Sequence, residues 1–193
     1  MRFPIPLTAA SILLMSLTLA CSGGGGGDTK TTPPPPKTIA DTLTYTDPSG
    51  TGFRLVRNAG LSTASKLVLD LTGPTGTGQG IAFIVNADQT KVTWSNPPSS
   101  VSLAANVAFN LGSGTQAFVG KATGDQLQGA AVQKPGATAV NLAQPLMRIS
   151  LDLKSNIPVN TPVPMSFTAG NQLPASGGPT STITVAVGTL LAQ

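Results

Sequence analysis

The sequence predicts an all-β fold: a two-sheet antiparallel β-sandwich, jelly-roll-like and of about nine strands, behind a disordered tether. Three observations predict it. From about Asp41 onward apolar residues recur with a period of two, the period of a strand with one buried face. The chain is rich in turn formers, with 22 Gly and 17 Pro. Only 9% of residues are charged and glutamate is absent, so common helix formers are scarce.

The amino-terminal residues 1–20 read as a signal peptide. A short basic start, Met1-Arg2, leads to the apolar run Ile12-Leu13-Leu14-Met15-Ser16-Leu17-Thr18-Leu19-Ala20. Crossing a bilayer takes about 20 apolar residues, and this run is shorter. Cys21, the one cysteine, follows directly. Leu17-Thr18-Leu19-Ala20-Cys21 resembles a bacterial lipobox, which implies cleavage before Cys21 and acylation of its thiol. Ser22, where an aspartate would signal inner-membrane retention, resembles the outer-membrane sorting choice. The expectation is a lipid-anchored protein of the cell envelope, on the periplasmic or surface face of the outer membrane.

Residues 21–40 form the linker. Five glycines, then Asp28-Thr29-Lys30-Thr31-Thr32 and Pro33 to Pro36, offer almost no apolar surface to bury, so the segment is expected to stay disordered. Residues 41–193 then make one domain, long enough for a core without disulfides.

Met147-Arg148-Ile149-Ser150-Leu151-Asp152-Leu153-Lys154 gives the clearest strand. Met147, Ile149, Leu151 and Leu153 share one face, and the polar residues share the other. Lys66–Leu71, Ala105–Leu111 and Thr182–Val187 follow the same rule. Gly80-Ile81-Ala82-Phe83-Ile84-Val85 is apolar on both faces, which marks a central strand. Phe53–Arg57, Thr90–Trp94, Gln116–Val119, Leu127–Gln133 and Pro164–Phe167 are shorter candidates. Asp47-Pro48-Ser49-Gly50 fits a β-turn, and Asn86-Ala87-Asp88-Gln89 predicts a hairpin joining 81–85 to 90–94. Pro158, Pro162 and Pro164 mark an edge segment, because proline cannot donate to a central ladder.

Composition restricts the chemistry. The chain has no histidine, hence neither the commonest general base nor the commonest metal ligand. Its acids are seven aspartates, Asp28, Asp41, Asp47, Asp70, Asp88, Asp125 and Asp152, without a metal-loop spacing or a paired-carboxylate motif. Asp47, Asp88 and Asp125 read as turn formers. The net charge of +4 is dispersed, without the basic cluster of a nucleic-acid face. No enzyme activity, cofactor, metal or nucleic-acid partner is expected.

The order of strands resembles the cohesin-like branch of the carbohydrate-binding sandwich superfamily. The residues that carry the likeness are Lys66-Leu67-Val68-Leu69-Asp70-Leu71, a Gly-rich loop, Gly80–Val85, Lys91-Val92-Thr93-Trp94, Leu146–Leu153 and Ile183-Thr184-Val185. They span about residues 65 to 190. Where cohesins usually carry Tyr-Asp-Pro in the early hairpin, this chain has Asn86-Ala87-Asp88. The resemblance implies non-catalytic binding of a carbohydrate or a surface protein. The alternative is a structural subunit of an envelope or extracellular assembly without sugar binding. Trp94 and Tyr45 are the candidates for stacking on sugar rings. Trp94 shares parity with Val92, so the competing role is a core tryptophan.

Overall fold

The computed structural model describes residues 35–113 and 117–193. The predicted signal peptide, Cys21 and most of the linker lie outside the described residues. Among those described there is no helix. The strands, in chain order, are β1 (Leu43–Thr46), β2 (Phe53–Arg57), β3 (Lys66–Thr72), β4 (Thr77–Ala87), β5 (Val92–Ser95), β6 (Ala104–Asn106), β7 (Ala117–Thr123), β8 (Gln126–Val132), β9 (Val140–Asn141), β10 (Pro145–Leu153), β11 (Thr161–Val163), β12 (Met165–Pro174), β13 (Ser181–Thr182), β14 (Val185–Ala186) and β15 (Thr189–Ala192).

Two six-stranded sheets stack as a sandwich. Sheet I runs β14-β2-β3-β10-β5, with β6 also on β10, and sheet II runs β13-β12-β4-β8-β7, with β9 on β4. A three-stranded sheet, β1-β15-β11, joins the first and last strands of the domain. Pairing is antiparallel except for β14 on β2. Alternation in the sequence drives the layering. Met147, Ile149 and Leu151 of β10 are buried against Phe83 and Val85 of β4 and Leu127 of β8 in one core. Each such side chain contributes about 1.5–3 kcal/mol by leaving water.

Several expectations are corrected. The hairpin of 81–85 with 90–94 does not form, because β5 pairs with β10 in sheet I while β4 lies in sheet II between β12 and β8. Both edges of β4 are already occupied, and the Asp88 turn hands the chain across to the other sheet. That turn is fixed by Lys91 and Val92 amides donating to the Asp88 carbonyl and by Thr90 N donating to Asp88 Oδ1 at 2.9 Å. The strand expected over Ala105–Leu111 stops at Asn106. The Asn106 side chain accepts from Phe109 N at 3.0 Å and donates to Phe109 O at 2.6 Å, curling the chain into a loop. Thr182–Val187 is not one strand. Its backbone pairs with sheet II at β13 and with sheet I at β14, while Ile183 and Val185 both stay buried. Parity was therefore kept while the pairing partner changed.

Ile39 and Ala40, assigned to the linker by composition, are part of the ordered body. Ile39 bridges Pro158, and Ala40 N donates to Ile157 O at 2.7 Å. The expected count of about nine strands is exceeded because pairing adds the short strands β1, β6, β9, β11, β13, β14 and β15, of two to four residues each. Pro162 does sit on an edge, in β11.

Candidate protein-docking face

The outer faces of the two sheets differ sharply in chemistry. On sheet I, most outward polar groups satisfy one another, Thr72 Oγ1 being a buried exception without a partner. Arg148 Nε donates to Asp70 Oδ1 at 2.6 Å, and Nη2 donates to Oδ2 at 3.1 Å. Asn58 Nδ2 completes that carboxylate at 2.8 Å. Next to it, Lys66 pairs with Asp152 at 2.9 Å and donates to Ser95 Oγ at 2.7 Å. Ser150, fully buried, donates to Ser95 O at 2.8 Å. The 58–62 segment folds over this strip, with Val68 N donating to Ser62 Oγ at 3.0 Å. This face is largely closed by its own contacts.

Sheet II is open. Ile81, Phe83, Val85, Leu127 and Ala131 point into the core, so their sequence neighbours point out. Register aligns those neighbours in rows across the sheet. Asn171, Ala82, Ala130 and Val119 form one row, and Ala169, Ile84, Gln128 and Lys121 the next. A third row holds Ser166, Asn86, Gln126 and Thr123. The centre is therefore aliphatic, and Lys121 is the one charged side chain in these rows. Ile84, Ala82, Ala130 and Val132 are half-buried, and Val119 is 41% exposed.

Glycine shapes this face. A Cβ on Gly80 would lie 2.9 Å from both Ala131 O and Val132 Cγ2. Its absence leaves a depression of about 60 Å³ between Val132, Asn171, Leu173 and Thr180. The doubly apolar run Gly80–Val85 was the sequence signal for this face. The same signal fits a strand covered on both sides, so the openness of the outer side was not legible.

The stacking candidates do not reach a surface. Trp94 and Tyr45 are each 6% exposed. The Trp94 indole N–H donates to Asp125 O at 3.1 Å, which pins the ring inside the sandwich. The Tyr45 hydroxyl donates to Leu55 O at 3.1 Å and accepts from Gly188 N at 2.6 Å. Burial pushes its pKa up to about 12. Both rings are core anchors, and the large exposed hydrophobics among the described residues are aliphatic: Ile39, Val101, Val107 and Val119. Cys21 lies outside the described residues.

Asp88 and Asp125 sit at turns as expected, whereas Asp47, expected in a β-turn over 47–50, instead ties its segment to the end of β2. Asp47 Oδ1 accepts Arg57 N at 2.7 Å, and Asp125 Oδ1 accepts Gln89 N at 3.2 Å. Hydrogen bonds from Lys91 and Thr90 hold the Asp88 carboxyl down at about 2. Asp88 and Asp125 line a cleft of about 440 Å³ at one end of sheet II, together with Asn86, Gln126 and Pro164. Their carboxylates are committed to the turns that make its wall.

No protein-family model and no curated protein matches the chain. Among solved structures it is similar to the sixth cohesin of Acetivibrio cellulolyticus scaffoldin B, determined in complex with a Cel5 dockerin mutant. That likeness has a TM-score of 0.48 and 13% identity, and covers 72% of this chain and 96% of that one. It is also similar to the cohesin module of a family 33 glycoside hydrolase from Clostridium perfringens, with a TM-score of 0.40 and 9% identity over 78% of this chain and 99% of that one.

Proposed function

We propose that this chain is a non-catalytic docking module that binds a protein partner through the outer face of sheet II, and that acylation of Cys21 anchors it to the outer membrane. One observation carries the docking reading: the outer face of sheet II has an aliphatic centre of Ala82, Ala130, Ile84 and Val119, bordered by polar side chains with Lys121 as the one charge in the aligned rows, whereas sheet I is largely closed by its own ion pairs and hydrogen bonds. Contiguous apolar surface of this kind marks interaction sites. The cohesin-like strand patterns over residues 65 to 190 support the same role. A carbohydrate role loses its support because Trp94 and Tyr45 are buried. The lipobox-like Leu17–Cys21 supports the anchor, which holds the docking face at the envelope.

Two experiments test this reading in the native host. Ala82→Arg places a charge at the centre of sheet II on a side chain that points outward, so the fold survives. Co-purification of the partner is then lost, while Val56→Arg on sheet I leaves it intact. Equal co-purification by both variants refutes the docking face. For the anchor, wild type incorporates a labelled fatty acid and Cys21→Ser does not. Label retained by Cys21→Ser refutes acylation at that thiol.

A further inference from the structure

We infer that the chain pairs with a second copy of itself through one side of the sandwich, the Val101 loop of each copy entering a cleft of the other. This contact is separate from the outer face of sheet II and does not rest on it. A protrusion and a recess in one patch carry the inference. Val101 is 97% exposed, about twice as much as any other large exposed hydrophobic among the described residues. It stands in the loop between β5 and β6, whose polar groups are satisfied internally. Ser100 N donates to Pro97 O at 3.0 Å, Ser102 N donates to Ser100 Oγ at 3.1 Å, and that hydroxyl donates to Ser102 O at 2.9 Å. The backbone is held by its own bonds while the aliphatic side chain is left in water. Beside it is a cleft of about 360 Å³ between β6, at the edge of sheet I, and β7, at the edge of sheet II. The two edges close on one another where Gly120 packs on Ala104, so tightly that a Cβ on Gly120 would lie 2.9 Å from Ala104 N. The cleft opens beyond that point, with Phe118, Leu111 and Ala105 as apolar walls.

Two facts select a second copy as the occupant. Val101 itself lines the cleft, so protrusion and recess belong to one patch. Turned about a two-fold axis through that patch, each Val101 meets the other copy's cleft, which is the self-complementarity of an isologous contact. A foreign surface would have to bring a recess of its own for Val101, whereas a copy already carries one. Charge is the second fact. With a net charge of +4, two copies repel unless they meet where charge is absent. No residue lining the cleft is charged, and neither is any residue from Ser95 to Gly120. Arg148, opposite Ala105 in the ladder, is already bound to Asp70. Such a contact closes on itself, so it yields a dimer and no filament.

The test uses the full chain, made in its host and extracted in detergent. Sedimentation is expected to show a dimer that dissociates on dilution. A photoreactive residue in place of Val101 yields an adduct of twice the chain mass, in which position 101 is joined to the 105–118 segment. Chains of two isotope compositions, mixed before irradiation, give an adduct of mixed mass, which separates a bond between copies from one within a copy. Val101→Asp puts a carboxylate into each apolar cleft and weakens the dimer about tenfold or more. Its melting temperature stays that of wild type, because the side chain is in water in the single copy. Ala105→Arg, which fills the recess, weakens the dimer comparably. Ala82→Arg, on sheet II, leaves it unchanged, so the docking face and this contact stand or fall separately. A chain that sediments as a monomer at every concentration, or a position-101 adduct to a different protein, overturns the inference. So does a dimer undiminished by Val101→Asp and Ala105→Arg, or one abolished by Ala82→Arg.

Discussion

Arg148→Met tests the contrast between the two faces at its structural root. The Asp70 and Arg148 side chains are 8% and 19% exposed, and two hydrogen bonds join them between neighbouring central strands. Removing the guanidinium leaves the Asp70 carboxylate with Asn58 Nδ2 alone. Breaking a buried pair from one side costs about 3–5 kcal/mol. Arg148 keeps some water, so the lower end applies, about 3 kcal/mol. For a domain of this size that lowers Tm by about 6–12 °C. With a urea slope near 2 kcal/mol/M, the unfolding midpoint falls by about 1.5 M. The assay is urea unfolding followed by circular dichroism for wild type, Arg148→Met, Asp70→Asn and the double variant. The double variant recovers part of the loss, because no lone charge remains buried. A loss below about 1 kcal/mol in Arg148→Met would show a surface-type pair. It would refute the claim that sheet I is largely closed by its own contacts.

Two further outcomes follow from the buried rings. Tyr45 has its folded pKa raised to about 12 from 10.0, so its stabilising contribution is complete below pH 10 and is lost as pH climbs from 10 to 12. The loss reaches about 2–3 kcal/mol. It disappears in Tyr45→Phe, which is itself less stable at neutral pH by about 1–2 kcal/mol for the lost hydroxyl bonds. Thermal melts from pH 8 to 12 check both, and an alkaline loss that persists in Tyr45→Phe contradicts the assignment. Trp94 is the one tryptophan of the chain, so its fluorescence reports a single site. Its emission is blue-shifted and slowly quenched by acrylamide. Solvent-like emission would contradict a core tryptophan and revive a stacking role.

The legible parts of the fold were those where side-chain parity and backbone pairing agree. In β10 the buried Met147, Ile149 and Leu151 and the polar Arg148 and Ser150 fall as alternation dictates, and pairing follows on both sides. Parity says nothing about which strand lies alongside. The segment from Ile183 to Val185 keeps its side chains inside while its backbone leaves one sheet for the other. Asn86–Gln89 has the composition of a hairpin turn, yet its aspartate cap carries the chain across the sandwich. The three-stranded sheet of β1, β15 and β11 was largely missed because it joins segments distant in sequence. Gly188 packs directly against Tyr45 there, leaving no room for a Cβ. The outer face of sheet II was half legible. The two-sided apolar character of Gly80–Val85 was visible, but whether a loop covers the outer side depends on tertiary layout.

The most direct measurement places one photoreactive residue at Ala130, on the outer side of sheet II, and another at Val56, on the outer side of sheet I, in the full chain in its host. The account predicts a discrete protein adduct from position 130 that Ala82→Arg abolishes, and none from position 56. An adduct from position 56 alone, or one at 130 indifferent to Ala82→Arg, would contradict it.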